Sequence, residues 1–309
     1  MQSSKKVIKK IAVMTSGGDS PGMNAFIRSC VRKALDMGLE PYGVYEGYQG
    51  MIENKIVQLD YDSVCNITKT GGTILKTSRS KEFMTIEGQK KAAQNLDSHG
   101  IDALICCGGN GSYLGLEALS EVWDGLVLGA PGTIDNDVNN TDFTIGFDTA
   151  VNTAMSAIDK LRDTGDSHNM HFLVEVMGRH CGDIAQSVGI ACGAIDVLIP
   201  ETPSDVDKVV SSFRSSGHNI VVVAEGDETG GAQALSKILR EVFEKHHPGE
   251  KAQFRVCILG HVQRGGSPTA RDRILAHEMA EFAVEAALKL ETKQAIAIQK
   301  NEYLLTNLS

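Results

Sequence analysis

Short runs of apolar residues alternate along the whole chain with longer segments whose apolar residues recur at helical spacing. Eight of the short runs are strand candidates, at residues 10–14, 41–45, 103–107, 126–130, 171–176, 196–199, 219–224 and 255–259. Residues 147–162 form a helix candidate, since Phe147, Ala150, Val151, Ala154, Ile158 and Leu161 share one face. This alternation predicts an α/β fold, a mainly parallel sheet with helices on both sides.

Glycine marks the ends of most predicted strands. The glycine-bearing turns fall at residues 16–19, 108–112, 132, 177–179, 260–261 and 265–267. Because the carboxyl ends of parallel strands meet at one edge of a sheet, these turns predict a glycine-lined crevice that a phosphorylated ligand can approach closely. Neither a Walker A lysine nor a GxGxxG fingerprint is present, which weighs against P-loop and dinucleotide-binding folds.

A pair of aspartates follows the predicted strand at residues 126–130. The run Gly132-Thr133-Ile134-Asp135-Asn136-Asp137 places two carboxylates two residues apart beside a threonine. Asp135 can accept the proton of a substrate hydroxyl while Asp137 holds a metal or orients its neighbour. The alternative interpretation is an Asx-type turn, in which these side chains bond their own backbone.

Composition narrows the class of protein. The chain has 309 residues, 42% of them hydrophobic, and a net charge of −9. This charge argues against non-specific binding to nucleic acid or to an anionic membrane, which needs a basic face. Seven scattered cysteines without a zinc or CxxC spacing indicate a reducing, cytoplasmic environment. No segment carries the roughly 18 apolar residues of a membrane helix, and no linker divides the chain, so a second lobe would be formed by crossings of the chain.

Six separate blocks of sequence resemble the bacterial-type ATP-dependent 6-phosphofructokinase family, from about residue 9 to residue 299. They are TSGGDSPGMNA, GGTILKTSR, GGNGS, PGTIDND with TIGFDTA, VEVMGRHCGD, and GHVQRGGSP with DRILA. The resemblance implies two interleaved lobes, each a mainly parallel sheet flanked by helices. Residues 1–138 plus 255–299 would form the nucleotide-binding lobe, and residues 139–254 plus 300–309 the sugar-phosphate-binding lobe.

The resemblance also implies a reaction, the transfer of the γ-phosphoryl group of ATP to the 1-hydroxyl of fructose 6-phosphate, assisted by Mg²⁺. The implied catalytic residues are Asp135 as general base, Thr133, Arg79 and Arg179. The implied nucleotide-binding residues are Gly18, Tyr48, Arg79, Ser80, Gly109, Asn110, Gly111 and Ser112. The sugar phosphate would contact Thr133, Asp135, Met177, Gly178, Arg179, Glu225, Arg255, His261 and Arg264. Spaced arginines and a metal suit phosphoryl transfer, which depends on positioning and charge neutralisation.

The chain departs from the family pattern at two site positions. Asn110 stands where the family has an aspartate that helps to bind Mg²⁺, so the implied metal ligands are Asn110 and Asp137. Met170 stands where the family has an arginine that reaches the sugar phosphate of a neighbouring subunit, and His168 or His171 could substitute in part. Glycine at positions 111 and 132, where pyrophosphate-using relatives carry Asp and Lys, favours ATP as the donor.

The implied effector site keeps three cations, Arg28, Arg32 and Arg162, but Tyr61 and Ile195 replace an arginine and a glutamate there. We expect a homotetramer, or an assembly with a paralogous subunit, with neither nucleic acid nor membrane as partner. Two alternatives to the kinase stay open at this point. One is a weakly active or non-catalytic regulatory paralogue that binds sugar phosphate or nucleotide, and the other is a kinase of another phosphorylated sugar.

Overall fold

The computed structural model describes residues 7–168, 170–213, 219–246 and 253–308. The strands are β1 (Lys10–Thr15), β2 (Glu40–Val44), β3 (Ile56–Gln58), β4 (Ala103–Gly108), β5 (Leu126–Thr133), β6 (Ile145–Gly146), β7 (His171–Val176), β8 (Asp196–Leu198), β9 (Asn219–Ala224), β10 (Phe254–Ile258), β11 (Gln294–Gln299) and β12 (Glu302–Asn307). The helices are α1 (Met23–Asp36), α2 (Gly47–Ile52), α3 (Ile86–Ser98), α4 (Asn110–Ser120), α5 (Phe147–His168), α6 (Asp183–Cys192), α7 (Val206–Ser211), α8 (Gly231–His246) and α9 (Ala270–Leu288). In the described part of the chain no helix is long and apolar enough to cross a bilayer.

The fold divides into two compact units. The first contains the described residues up to Thr133, then Asp137–Gly146, and everything from Arg264 onward. The second contains Ile134–Asn136 and Phe147–Gln263. The chain therefore passes between the units several times, as the two-lobe prediction requires.

The first unit is built on a sheet of strand order β12-β11-β5-β4-β1-β2-β3, with β6 paired to the end of β5. The pairs β11–β12 and β2–β3 are antiparallel, and the other pairs are parallel. Alternate strand residues enter two cores, because side chains point to opposite faces of a strand. Val13 and Ile105 join the core that contains α1 and α9, whereas Met14 and Leu104 join the core that contains α3 and α4.

The second unit is built on a four-stranded parallel sheet of order β10-β7-β9-β8. Its core on the α8 side includes Leu173, Val221, Val223, Leu235 and Phe254. Helix α5 begins at the predicted Phe147 but extends six residues beyond the predicted end at Arg162. Its buried face is the predicted one, with Phe147 and Ile158 among the buried residues.

The unit boundaries differ from the predicted lobes at four places. Ile134–Asn136 was predicted in the nucleotide-binding lobe, but it belongs to the second unit. Residues 300–309 were assigned to the sugar-phosphate lobe, but β12 pairs with β11 in the first sheet. The connecting residues Lys300 and Asn301 both have positive φ, 52° and 66°, the backbone of a tight hairpin turn. Residues 139–146 belong to the first unit because β6 pairs with β5. Residues 255–263 belong to the second because β10 pairs with β7.

Candidate active site

The turn after β4 is an open, glycine-rich helix start. Gly109 is the N-cap of α4, and its carbonyl accepts hydrogen bonds from the N–H groups of Ser112 (2.9 Å) and Tyr113 (3.2 Å). A Cβ on Gly108 would lie 2.4 Å from the Ser112 Oγ, so the turn requires glycine there. A Cβ on Gly111 would meet no atom within 4 Å. The first N–H groups of a helix lack intrahelical partners and carry partial positive charge, so this turn can bind phosphate oxygens.

A second glycine turn, residues 16–22, lies in the same unit and contacts Arg264. The Arg264 Nη1 donates to the Asp19 carbonyl at 3.3 Å, and a Cβ on Gly18 would lie 2.4 Å from that nitrogen. Glycine at position 18 therefore leaves room for the guanidinium. Arg264, which was predicted to contact the sugar phosphate, lies beside a predicted nucleotide residue.

Three other predicted nucleotide residues have different surroundings. Arg79 is exposed. The Ser80 hydroxyl donates to Gln49 (2.6 Å) and accepts from the Phe83 N–H (3.0 Å), so it stabilises its own loop. Tyr48 is only 7% exposed, stacks on Phe83 with ring centroids 4.2 Å apart, and donates its hydroxyl to the Ser112 carbonyl at 2.6 Å.

Tyr48 therefore supports the turn at residues 108–112 through its bond to the Ser112 carbonyl, and its contact with the nucleotide stays a prediction. Burial, followed by the neighbouring Cys106, raises the pKa of the Tyr48 hydroxyl well above its usual value. The hydroxyl thus remains protonated and continues to donate to the turn.

The predicted metal ligands lie together in the first unit. The Asn110 Nδ2 donates to the Asp137 carbonyl (3.0 Å) and to its Oδ2 (3.3 Å). Among the described residues no group of three or more His, Cys, Asp or Glu side chains could by itself hold a metal ion. The donor set here is one carboxylate and one amide oxygen, which fits Mg²⁺ because this ion is often bound by one or two carboxylates plus substrate phosphates.

The strand β5 leads directly into the predicted general base. Thr133 ends the strand, is 8% exposed, and accepts a hydrogen bond on its carbonyl from the Thr144 hydroxyl at 2.7 Å. Asp135 is 2% exposed, and its Oδ2 lies 3.6 Å from the Nε of Arg179. A carboxylate is costly to bury without a partner, and the largely exposed Arg179 guanidinium provides an opposite charge.

Arg179 sits on a tightly constrained loop after β7. Its φ is +53°, and the preceding Gly178 has φ +138°. The Arg179 N–H donates to the Glu225 Oε1 at 2.9 Å. A Cβ on Gly226 would lie 1.8 Å from the Arg179 carbonyl oxygen. Any side chain at position 226 would therefore collide with the Arg179 backbone. A non-glycine residue with positive φ is strained, and such strain often marks functional sites.

The remaining predicted sugar contacts lie on the same unit as Arg179. Met177 is 7% exposed, and its N–H donates to the buried Gln263 side chain at 3.4 Å. Arg255 and His261 are exposed, and the Arg255 Nε lies 3.5 Å from the Met170 sulfur. His171 is buried and its Nδ1 lies 3.0 Å from the Asn219 Nδ2, so it cannot substitute for a cation at position 170.

The predicted effector cations are already engaged at two positions. The Arg32 guanidinium carbon lies 5.2 Å from the centre of the Tyr61 ring, and the Tyr61 hydroxyl bonds Asp36. Arg162 donates to the carbonyls of Cys192 and Gly193 in the second unit. The effector site stays a prediction, and Arg32 would have to exchange its contact with Tyr61 for an anion.

Several supporting residues escaped the sequence interpretation. Asn136, with φ +55°, donates to Asp183 at 2.8 Å within the second unit, and buried Asp272 accepts from the Gly146 N–H in the first. Both aspartates lie in the family-like blocks VEVMGRHCGD and DRILA. Motif membership was the available signal, but it gave no indication of the bonding partner.

Glycine-lined helix starts and a buried aspartate at the end of a central strand define a phosphate-binding α/β protein. A model of the family described as Phosphofructokinase matches residues 10–287. The ATP-dependent 6-phosphofructokinase of Paenibacillus macquariensis is 48% identical over 307 residues, covering 97% of this chain and 92% of that protein. Its counterpart in Streptococcus sanguinis is 50% identical over 284 residues, covering 90% and 82%. The chain belongs to the phosphofructokinase family.

The solved structure of a phosphofructokinase from Saccharomyces cerevisiae matches with a TM-score of 0.87 and 36% sequence identity. The match covers 97% of this chain but only 45% of the yeast chain. The family predicted from the six sequence blocks, and the predicted α/β fold of mainly parallel sheets, are thereby confirmed.

Proposed function

We propose that the chain is a kinase that transfers the γ-phosphoryl group of ATP to the 1-hydroxyl of fructose 6-phosphate, giving fructose 1,6-bisphosphate. The observation that carries this proposal is the buried carboxylate of Asp135, 3.6 Å from the Arg179 Nε, two residues after the end of β5. The curated relatives that cover most of the chain are named for the same activity, which supports it.

The first unit binds the nucleotide. The N–H groups at the start of α4 and the turn at residues 16–22 contact the phosphates. The open space at Gly111 admits a bulky polyphosphate tail. At Gly132 a Cβ would lie 2.5 Å from the Cys107 Sγ, so the lysine of pyrophosphate-using relatives would not fit without rearrangement. Both glycines thus favour ATP over pyrophosphate.

Magnesium would be held by Asp137, by the amide oxygen of Asn110 and by the phosphates of ATP. When bound, the ion neutralises negative charge that develops on the transferring group. Asn110 keeps an acceptor oxygen but contributes no charge, so Asp137 is the anionic protein ligand in this set.

The second unit binds the sugar phosphate through the Arg179 loop, Glu225, Arg255 and His261. As the 1-hydroxyl oxygen attacks the γ-phosphorus, its proton passes to the Asp135 carboxylate, and ADP leaves with the electrons of the broken bond. Arg179 holds Asp135 in place and, with Arg79, offsets the charge of the transferring group, to which the neutral Thr133 hydroxyl can donate a hydrogen bond. Because Thr133 precedes Asp135 by only two residues, the covalent backbone holds the threonine close to the base.

The assembly and location remain proposals. We propose a homotetramer in the cytoplasm, with sites completed across subunits, and light scattering on the purified chain would measure the mass. Nothing in the described residues favours a regulatory paralogue or a kinase of a different sugar phosphate over the proposed enzyme.

The test is a coupled assay of ADP release with purified protein, Mg²⁺, ATP and a panel of sugar phosphates, followed by identification of the product. We expect strong preference for fructose 6-phosphate and for ATP over pyrophosphate. The exposed Asp62→Asn variant provides a matched carboxylate control, with wild-type activity. Turnover absent with every sugar phosphate would refute the proposal, and preference for a different sugar would correct the substrate.

A further inference from the structure

Asp272 is a buried carboxylate with no role in the mechanism above. Its residue is 1% exposed and it lies in the first turn of α9. The Thr269 hydroxyl caps this helix by accepting from the Asp272 N–H at 3.2 Å. In a capping box the acidic side chain returns to the N-cap N–H. The Asp272 Oδ1 also accepts from the N–H of Gly146 at 2.9 Å, a residue 126 positions earlier in the chain.

The partner of Asp272 belongs to the strand that supports Thr133. Gly146 is the second residue of β6, and it pairs with Thr133 while Ile145 pairs with Gly132. The Thr144 hydroxyl adds a bond to the Thr133 carbonyl at 2.7 Å. On its other side β6 is held by the Ser20 hydroxyl, which donates to the Ile145 carbonyl at 2.8 Å. All of these residues lie in the first unit.

A two-residue strand has too short a hydrogen-bond ladder to fix its own position. Side-chain anchors must therefore locate β6, and of the three described above, Ser20, Thr144 and Asp272, the last is the charged one. An ionised acceptor bonds an N–H group more strongly than a neutral one, and the N-terminal end of α9 favours the negative charge. The Thr269 hydroxyl caps α9, and beyond any part in capping the Asp272 carboxylate bonds the distant Gly146 N–H.

We infer that Asp272 is a positioning residue for phosphoryl transfer, fixing Thr133 through Gly146 and β6. Because Asp135 follows Thr133 by two residues, the same anchor sets where the chain enters the segment that carries the base. This inference rests on the proposed kinase function for its kinetic readout, but the anchoring itself can be measured independently.

The experiment compares Asp272→Ala, which removes the acceptor, Asp272→Asn, which leaves a neutral one, and Thr269→Ala, which weakens the same helix without removing the Gly146 partner. Since misplacement of catalytic groups by about 1 Å can cost about 10²-fold, we expect Asp272→Ala to lower kcat roughly ten- to a hundredfold. The KM for either substrate should change little. Asp272→Asn should lose several-fold, and Thr269→Ala should lower the melting temperature while keeping the wild-type kcat.

Hydrogen exchange of the same proteins gives a readout independent of activity. Amides in residues 132–135 and 144–147 should exchange faster in Asp272→Ala, and to a lesser degree in Asp272→Asn, but not in Thr269→Ala. Unchanged exchange in these segments overturns the anchoring whatever the activity, and the asparagine variant decides this if the alanine variant does not fold. An equal loss of kcat in Thr269→Ala and Asp272→Ala would also overturn it. A wild-type protein without kinase activity refutes the proposed function instead.

Discussion

The close approach of Gly226 to the Arg179 loop gives the sharpest test of how the second unit positions its catalytic arginine. In Gly226→Ala the new Cβ would lie 1.8 Å from the Arg179 carbonyl oxygen and 2.9 Å from its carbonyl carbon. Ordinary contact begins near 3.4 Å, so the two backbones would have to separate by about 1.6 Å. Neither atom belongs to a flexible side chain that could turn away.

The separation would disturb the contacts that orient Arg179. Its N–H bond to Glu225 is 2.9 Å long and its Nε lies 3.6 Å from Asp135, and a shift of this size exceeds the tolerance of both. Displacement of catalytic groups by about 1 Å can cost about 10²-fold in rate, so we expect kcat to fall by about that factor. Overpacking should also destabilise the protein by about 1–3 kcal/mol.

The assay is steady-state kinetics well below the melting temperature, with Gly230→Ala as the control. Gly230 lies in the same loop and has φ +86°, so alanine there is strained, but its Cβ would meet only the Ala234 side chain at 3.4 Å. The control should therefore lose stability and keep its kcat. A folded Gly226→Ala protein with wild-type kcat and wild-type KM for fructose 6-phosphate would refute the reasoning about the Arg179 loop.

Two further predictions concern the first unit. Asn110→Asp adds a second carboxylate beside Asp137, so half-saturation by Mg²⁺ should occur at several-fold lower concentration. Activity and Mn²⁺ binding in electron paramagnetic resonance both measure this affinity. An unchanged metal affinity would contradict the proposed ligand set. Tyr48→Phe removes the 2.6 Å bond to the Ser112 carbonyl and should lower the free energy of unfolding by about 0.5–1.5 kcal/mol. The KM for ATP should rise. A raised KM for fructose 6-phosphate alone would contradict the role of Tyr48 in supporting the turn at residues 108–112.

The strands that form the centre of each sheet could be predicted from the sequence because they are buried on both faces. Continuous apolar runs such as those of β4 and β9 are typical of parallel strands covered by helices. Four strands were missed. One of them, β11, is a buried inner strand of six residues, and the other three are short or peripheral. β3 has three residues and β6 two, and β12 is an edge strand exposed or half-exposed along its length. β11 forms by pairing with β5, which lies far away in the sequence.

The C-terminal hairpin shows why the lobe boundaries were harder to predict. Its turn uses Lys300 and Asn301 at positive φ, where a recognisable hairpin signal would be Asn-Gly or Asp-Gly. Without that signal the last residues could not be assigned to the strand beside them. The pairing of β12 with β11 then places them in the first unit.

Among the site residues, position along the strand was predictable and the local environment was not. The place of Asp135 after β5 followed from the pattern of apolar residues, and the structure confirms the strand. The burial of Tyr48 and the commitment of Ser80 to its own loop depend on packing against Phe83. The left-handed backbone of Arg179 depends on Gly226, some 47 residues later. No local pattern specifies such long-range contacts.

The most direct measurement is single-turnover phosphoryl transfer in Asp135→Asn, with ATP and fructose 6-phosphate binding measured separately by calorimetry. Asparagine keeps the size of the side chain but cannot accept the proton of the hydroxyl. The rate of fructose 1,6-bisphosphate formation should fall roughly 10²- to 10⁴-fold, with both substrates still bound. A transfer rate equal to that of the wild type would contradict the assignment of Asp135 as the base.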